Sequence, residues 1–175
     1  MPVLQRFPMV LVLLLAACDA PPDAAAPTAA PRSEAPPVAA EANVVRLRVD
    51  GVEWSADREI FCAVNPPGLA RGLIIAGSRG PKDANEQTFN LNLSGVDGPG
   101  TLRLESSASV THAIQLANLD ATRFLNGGAM GFDVTVDLIA VSANPTRVEA
   151  RFSGTLGSSA GTPLRIDDGY LRCSE

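Results

Sequence analysis

The sequence predicts an all-β domain, an antiparallel β-sandwich or barrel of roughly eight to ten strands with at most one short helix. Three observations carry this. Apolar residues recur with period two from residue 43 onward, clusters of Gly, Pro, Asn and Asp interrupt the alternation at short intervals, and all 15 glycines fall in that part of the chain. A strand turns successive side chains to opposite faces, so period two reads as a half-buried sheet. Many short strands divided by turns favour a sandwich or barrel.

The first hairpin is read from Val45, Leu47 and Val49, which alternate with Arg46 and Arg48, and from Val52, Trp54 and Ala56, which alternate with Glu53 and Ser55. Asp50-Gly51 lies between the runs. A type I′ turn needs positive φ at both central residues, and Asp-Gly supplies them. A two-residue loop then sets Val49 against Val52, Leu47 against Trp54 and Val45 against Ala56, all on one face.

A second hairpin joins the alternation of Phe132, Val134, Val136, Leu138 and Ala140 to that of Val148, Ala150 and Phe152, across residues 142–146. Placing Val141 against Arg147 brings Leu138 to Ala150 and Val136 to Phe152 on the core face. The same register sets Asp137 against Arg151 and Thr135 against Ser153 on the solvent face. Hydrophobic and charge patterns thus choose one alignment.

Further strands are expected at 60–64, 73–77, 88–93, 101–104, 113–116, 164–166 and 170–173. The turns between them include 65–68, 80–81, 126–128 and Asp168-Gly169, and the glycine-rich run 95–100 reads as a hairpin loop. Pro99 and the strand that follows it exclude a phosphate loop opening a helix there. The one stretch that could be helical is 118–125.

The three cysteines divide as one plus two. Cys62 and Cys173 lie in expected strands, and export of the domain, which the N-terminal segment implies, would expose them to conditions where thiols oxidise. A bridge between them closes a loop of about 112 residues and pins the last strand to the sheet. Cys18 belongs to a different segment. Arg6 supplies a positive n-region, residues 9–15 form an apolar run too short to span a bilayer, and Leu15-Ala16-Ala17-Cys18 follows. Small residues before a thiol leave room for cleavage and acyl transfer.

That tetrapeptide is similar to the lipobox of bacterial lipoproteins. The resemblance implies that residues 1–17 are a cleaved signal peptide and that Cys18 carries the lipid that attaches the chain to a membrane, facing the periplasm. Asp19 resembles the enteric signal for inner-membrane retention. Residues 18–42 then read as the lipidated cysteine and an Ala/Pro-rich tether. Of residues 19–42, ten are Ala and six are Pro. Such a composition cannot bury enough surface to offset its ordering entropy. As polyproline II at about 3.1 Å per residue it reaches at most roughly 75 Å. Residues 43–175 are the β domain, a size that sustains an independent core.

Net charge is −5, with a sequence pI near 4.9, which argues against a general nucleic-acid binder. The domain's basic residues are eleven Arg and one Lys, in no cluster along the chain. Catalytic constellations are absent from the sequence pattern. His112 is the only histidine, too few ligands for a metal site. Ser106, Ser107 and Ser109 stand near it without the elbow context that a hydrolase serine needs. Asp133 and Asp137 share a strand face, with Arg151 placed to pair with Asp137. Asp167-Asp168-Gly169 lacks the further oxygen ligands of a Ca²⁺ loop and reads as a turn. Trp54, the sole tryptophan, is expected in the core, or lining a cavity if the sheet closes into a barrel. No cofactor, metal site or catalytic residue is expected.

Three stretches resemble a family of small, uncharacterised bacterial lipoprotein domains: Val49-Asp50-Gly51-Val52-Glu53-Trp54 (their DG-x-x-W hairpin), Arg147 to Leu156 (their G-x-F-x-G strand) and Leu164 to Leu171 (their I-x-D-G-x-F strand). Ala150 replaces the first glycine of the second motif and Leu171 the aromatic of the third. The resemblance implies a β-rich fold behind a lipobox and confers no activity. The function expected is a non-enzymatic binding or interaction module whose ligand or partner the sequence does not identify. The alternatives are an envelope hydrolase or transferase, a calycin-like carrier of an apolar molecule, and an immunity-type inhibitor.

Overall fold

The structure, a computed structural model, describes residues 42–66, 71–106 and 112–175. Cys18, the signal segment and nearly all of the tether lie outside the described residues. Strands β1 (Val44–Val49) and β2 (Val52–Ser55) form the expected hairpin, with Leu47 opposite Trp54 and Val49 opposite Val52. Asp50 and Gly51 adopt φ of 48° and 83°, as a type I′ turn requires. Val45, Leu47, Val49 and Trp54 are buried, whereas Val52 at the hairpin tip is 70% exposed.

Strands β3 (Ile60–Val64), β4 (Leu73–Arg79), β5 (Gln87–Leu93), β7 (Ala113–Ala117) and β8 (Leu125–Gly127) make one sheet, in the order β3-β4-β5-β7-β8. The other runs β2-β1-β11-β10-β9-β6, with β6 (Gly100–Glu105), β9 (Phe132–Ala143), β10 (Thr146–Leu156) and β11 (Leu164–Ser174). All pairings are antiparallel. The two sheets pack face to face as a sandwich, and they do not close into the barrel that a calycin-like carrier requires. Among the described residues no helix is long and apolar enough to cross a membrane.

Several sequence expectations are corrected. Residues 118–125 are not helical. Asp120 accepts the backbone N–H groups of Thr122 and Arg123, a local bond that competes with helical pairing. Leu125 to Gly127, read as helix end and turn, instead pair with β7 and bridge to Ser158, which makes eleven strands among the described residues. A short 3-10 turn at Gly128–Met130 follows. The glycine-rich run 95–100 is not a hairpin loop: β5 pairs with β4 and β7 while β6 pairs with β9, so the segment crosses between sheets.

Asp168-Gly169 is another. Strand β11 continues through it with a register shift against both neighbours, and Asp168 takes φ of 50°. The same left-handed geometry serves a turn or a bulge, and pairing on both sides leaves only the bulge. Gly169 is needed for space: a Cβ there would lie 2.5 Å from both the ring and the carbonyl oxygen of Phe152. The second hairpin carries a bulge as well. Ala150 faces Leu138 and Phe152 faces Val136 as expected, but the register shifts between Glu149 and Ala150. Val141 therefore meets Val148, and the turn tightens to Asn144-Pro145 with a cis bond.

The core is built from both inner faces. Trp54 of β2 lies 6.4 Å from Phe89 of β5, centre to centre, and Phe89 stacks on Phe152 of β10 at 5.3 Å. Such pairs contribute about 0.5–1.5 kcal/mol each beyond area burial. Leu73, Ile75, Leu91, Ile114 and Leu116 from one sheet meet Val134, Val136, Val148 and Leu171 from the other, all fully buried. Cys62 on β3 and Cys173 on β11 form the expected disulfide, with Cα atoms 6.1 Å apart and both residues buried. The bridge joins the two sheets and closes the chain over a separation of 111 residues. The chain-entropy account gives about 4–5 kcal/mol for a loop of that size. Replacing both cysteines by Ala should lower the unfolding free energy by about that much, read from urea curves of oxidised protein and variant. A variant as stable as the oxidised protein would contradict it.

Candidate functional site

A cleft of about 430 Å³ opens at one end of the sandwich, between the β1–β2 turn and the segments that follow β4 and β7. Trp54 forms its floor, and Val49, Val52 and Leu119 supply apolar wall. Buried Trp needs a partner for its N–H. Here the indole Nε1 donates to Gln87 Oε1 at 2.8 Å, and Gln87 Nε2 donates to the Leu119 carbonyl at 3.2 Å. These two bonds orient the Gln87 amide and fasten the loop after β7 to the floor.

The rim is charged. Arg123 Nη1 donates to Asp50 Oδ2 at 2.8 Å, with Asp120 at 3.8 Å on its other side. Asp50 also accepts the Arg165 backbone N–H at 2.9 Å, so one carboxylate ties the hairpin turn to β11 and to the cleft rim. Hydrogen bonds from the Thr122 side chain and backbone, and then from Arg123, hold the Asp120 carboxyl below the usual carboxylate range. Arg79 contributes a second cation at the mouth; its guanidinium lies 3.5 Å from the Glu53 carbonyl, too long for a strong bond. The volume, the apolar floor and the few convergent polar groups match a small-ligand site.

The residues considered from sequence are not brought together. His112 precedes β7, half-buried, and its Nδ1 accepts the Ser94 backbone N–H at 3.2 Å. Ser106 Oγ accepts the Phe132 N–H, while Ser107 and Ser109 lie outside the described residues. Asp167 pairs with Arg165 at 2.9 Å and Asp133 with Arg103 at 3.1 Å. Arg103 titrates higher than usual because Asp133 hydrogen-bonds it and, with Glu105, attracts its charge. The expected Asp137–Arg151 ion pair is not made although the two residues stand opposite each other. Asp137 accepts from Thr101 Oγ1 at 3.2 Å, and Arg151 lies over the Tyr170 ring instead. Cys62, Cys173 and Glu175 have ligand atoms close enough for one metal ion, but the two sulfurs are bonded to each other and offer no thiolate.

Sequence reading missed Gln87, Leu119 and Arg79. One signal was present: Gln87 has the same parity as Phe89, Leu91 and Leu93, a polar residue on the core face of an apolar strand. In comparisons with known proteins, no family model, curated protein or solved structure matches the chain. The likeness to small bacterial lipoprotein domains therefore rests on its motifs alone.

Burial lowers the His112 pKa from its ordinary 6.5. The folded state thus favours neutral imidazole, and the unfolded state binds the proton first as pH falls. His112 contributes its full stability above pH 6.5 and loses it progressively below. Urea midpoints should fall more between pH 7.5 and pH 5.5 in the native protein than in His112→Asn, which keeps an acceptor and cannot titrate. Equal falls would contradict this role.

Proposed function

We propose that the chain is a lipid-anchored, periplasm-facing binding module, in which residues 18–42 tether a β domain that captures a ligand without transforming it. The Trp54-floored cleft carries this reading. It combines apolar wall from Val52 and Leu119 with cationic rim from Arg79 and Arg123, a composition suited to a small molecule with an apolar body and an acidic or acceptor group. Two of the cleft's carboxylates, Asp50 and Asp120, hold Arg123 and serve as struts; the third, Glu53, also lines the groove on the outward face. A hydrolase reading needs polar side chains to converge around His112 or Asp167 in a cleft; neither lines this one, and each has its own partner. The signal-like segment ending at Cys18 and the resemblance to lipoprotein domains support the anchor, and the Ala/Pro composition supports a spacer.

Two measurements test the reading. Cys18→Ala should move the protein from the membrane fraction to the soluble fraction, and a variant still retained by membranes would refute the anchor. Full-length protein purified gently in detergent should show a bound small molecule by native mass spectrometry. Val52→Asp, which puts charge on an exposed wall residue, should lose that mass while keeping the Trp54 emission of a buried indole. Equal masses for both proteins, with no adduct on either, would refute the cleft as the binding site.

A further inference from the structure

Cross-strand pairing places Ser55, Arg46, Tyr170 and Arg151 in one row over β2, β1, β11 and β10, on the outward face of the six-stranded sheet. Neighbouring strands lie about 4.8 Å apart, so the two arginines stand about 10 Å apart at the backbone with one ring between them. The guanidinium carbons are 5.4 Å (Arg46) and 5.7 Å (Arg151) from the Tyr170 ring centre. The Tyr170 hydroxyl donates to Glu149 Oε1 at 3.1 Å, which holds the ring at its tip. A groove of about 650 Å³ runs beside the row. It shares only Glu53 and Trp54 with the cleft described above.

These two arginines differ from four others on their face. Arg48 pairs with Asp168, Arg165 with Asp167, Arg147 with Glu149, and Arg103 with Asp133 and Glu105. Arg46 and Arg151 make no ion pair among the described residues, and both are exposed. A guanidinium lying against a ring keeps its in-plane N–H donors free, and those donors match the oxygens of a phosphate two at a time. Most neighbouring carboxylates are already engaged: Asp168 by Arg48, Glu149 by Tyr170 and Arg147, Asp137 by Thr101. Glu53 is the groove carboxylate without an ion-pair partner among the described residues.

We propose that the Arg46–Tyr170–Arg151 row is a binding site for a phosphate-bearing anion, gripped by both guanidinium edges, with Glu53 opposing. Free phosphate and the headgroup of an anionic phospholipid present the same chemistry. The inference is independent of what occupies the Trp54 cleft.

Tyr170 is the only tyrosine in the chain, so its ring resonances report on the row without interference. The test is a titration of full-length protein, ring-labelled at tyrosine. One arm adds inorganic phosphate to protein in neutral detergent. The other compares protein in phosphatidylcholine vesicles with and without phosphatidylglycerol. A saturable shift with phosphate supports the site with a soluble anion as ligand. A shift that appears only with phosphatidylglycerol and fades with salt supports it with a lipid headgroup. Arg46→Gln combined with Arg151→Gln should weaken the response at least about tenfold, as for loss of hydrogen bonds from charged donors. Glu53→Gln should strengthen it about threefold by removing a like charge. No shift in either arm, an undiminished response in the double variant, or weaker binding by Glu53→Gln would overturn the proposal.

Discussion

Two sheets with apolar inner faces meet along Trp54, Phe89 and Phe152, and the Cys62–Cys173 bridge crosses the same interface from β3 to β11. Neither sheet can bury its inner face alone, so each strand's alternation is committed to the contact with the other sheet. The glycines at close approaches follow from it. Gly77 sits against Ala56 and against Val45 of the other sheet, where a side chain would push the layers apart, and Gly169 lies against the ring of its cross-strand neighbour Phe152, where a side chain would displace that ring from the core. The disulfide adds a constraint that hydrophobic packing does not: it ties β3, at the edge of one sheet, to a strand inside the other. Cys62 N–H, on that edge, also lies 3.4 Å from the Glu175 carboxylate, so Glu175 covers part of an edge open to further pairing.

Because the inner faces are filled, ligand chemistry is displaced to the rim and the outward faces. Trp54 belongs to both worlds. Its ring packs on Phe89 while its N–H reaches Gln87 at the base of the cleft, so the rigidity of the core is passed to the site floor. The outward faces differ sharply in character. The six-stranded sheet presents arginines and carboxylates in cross-strand rows. The five-stranded sheet presents Phe61, Ile74, Ala76, Asn90, Asn92 and Gln115, with no charge among them. Exposed ion pairs contribute little to stability, typically under about 1 kcal/mol. The charged face is therefore better understood through what its unpaired members can hold than through what its pairs contribute.

Where the sequence reading held, the determining forces were local. Asp50-Gly51 specified its turn through backbone conformation, and the alternation on each side specified which residues face inward. Where it failed, apart from the local Asp120 turn that replaces a helix at 118–125, the deciding partner was distant in sequence. Asp168-Gly169 has the chemistry of a turn and became a bulge because β1 and β10 flank it. Residues 95–100 join strands that belong to different sheets, which alternation cannot reveal since both sheets share the period. Arg151 stands opposite Asp137 as the charge pattern required, yet it turns to a tyrosine on the other side, because a strand in mid-sheet offers neighbours on two flanks.

The sequence by itself determined the all-β class, the two hairpins with their core registers, and which cysteine Cys62 can pair with inside the β domain, since Cys173 is the one other cysteine of residues 43–175. These are consequences of period two, of turn chemistry and of counting. Only the tertiary structure decided between sandwich and barrel, assembled Trp54, Gln87, Leu119 and Arg123 into one cleft, and left Arg46 and Arg151, on either side of Tyr170, without an ion pair among the described residues. Each depends on contacts between residues far apart in the chain. Alternation states that a side chain faces outward; which other outward side chain it meets is set by strand order, and strand order is a property of the packed sheets.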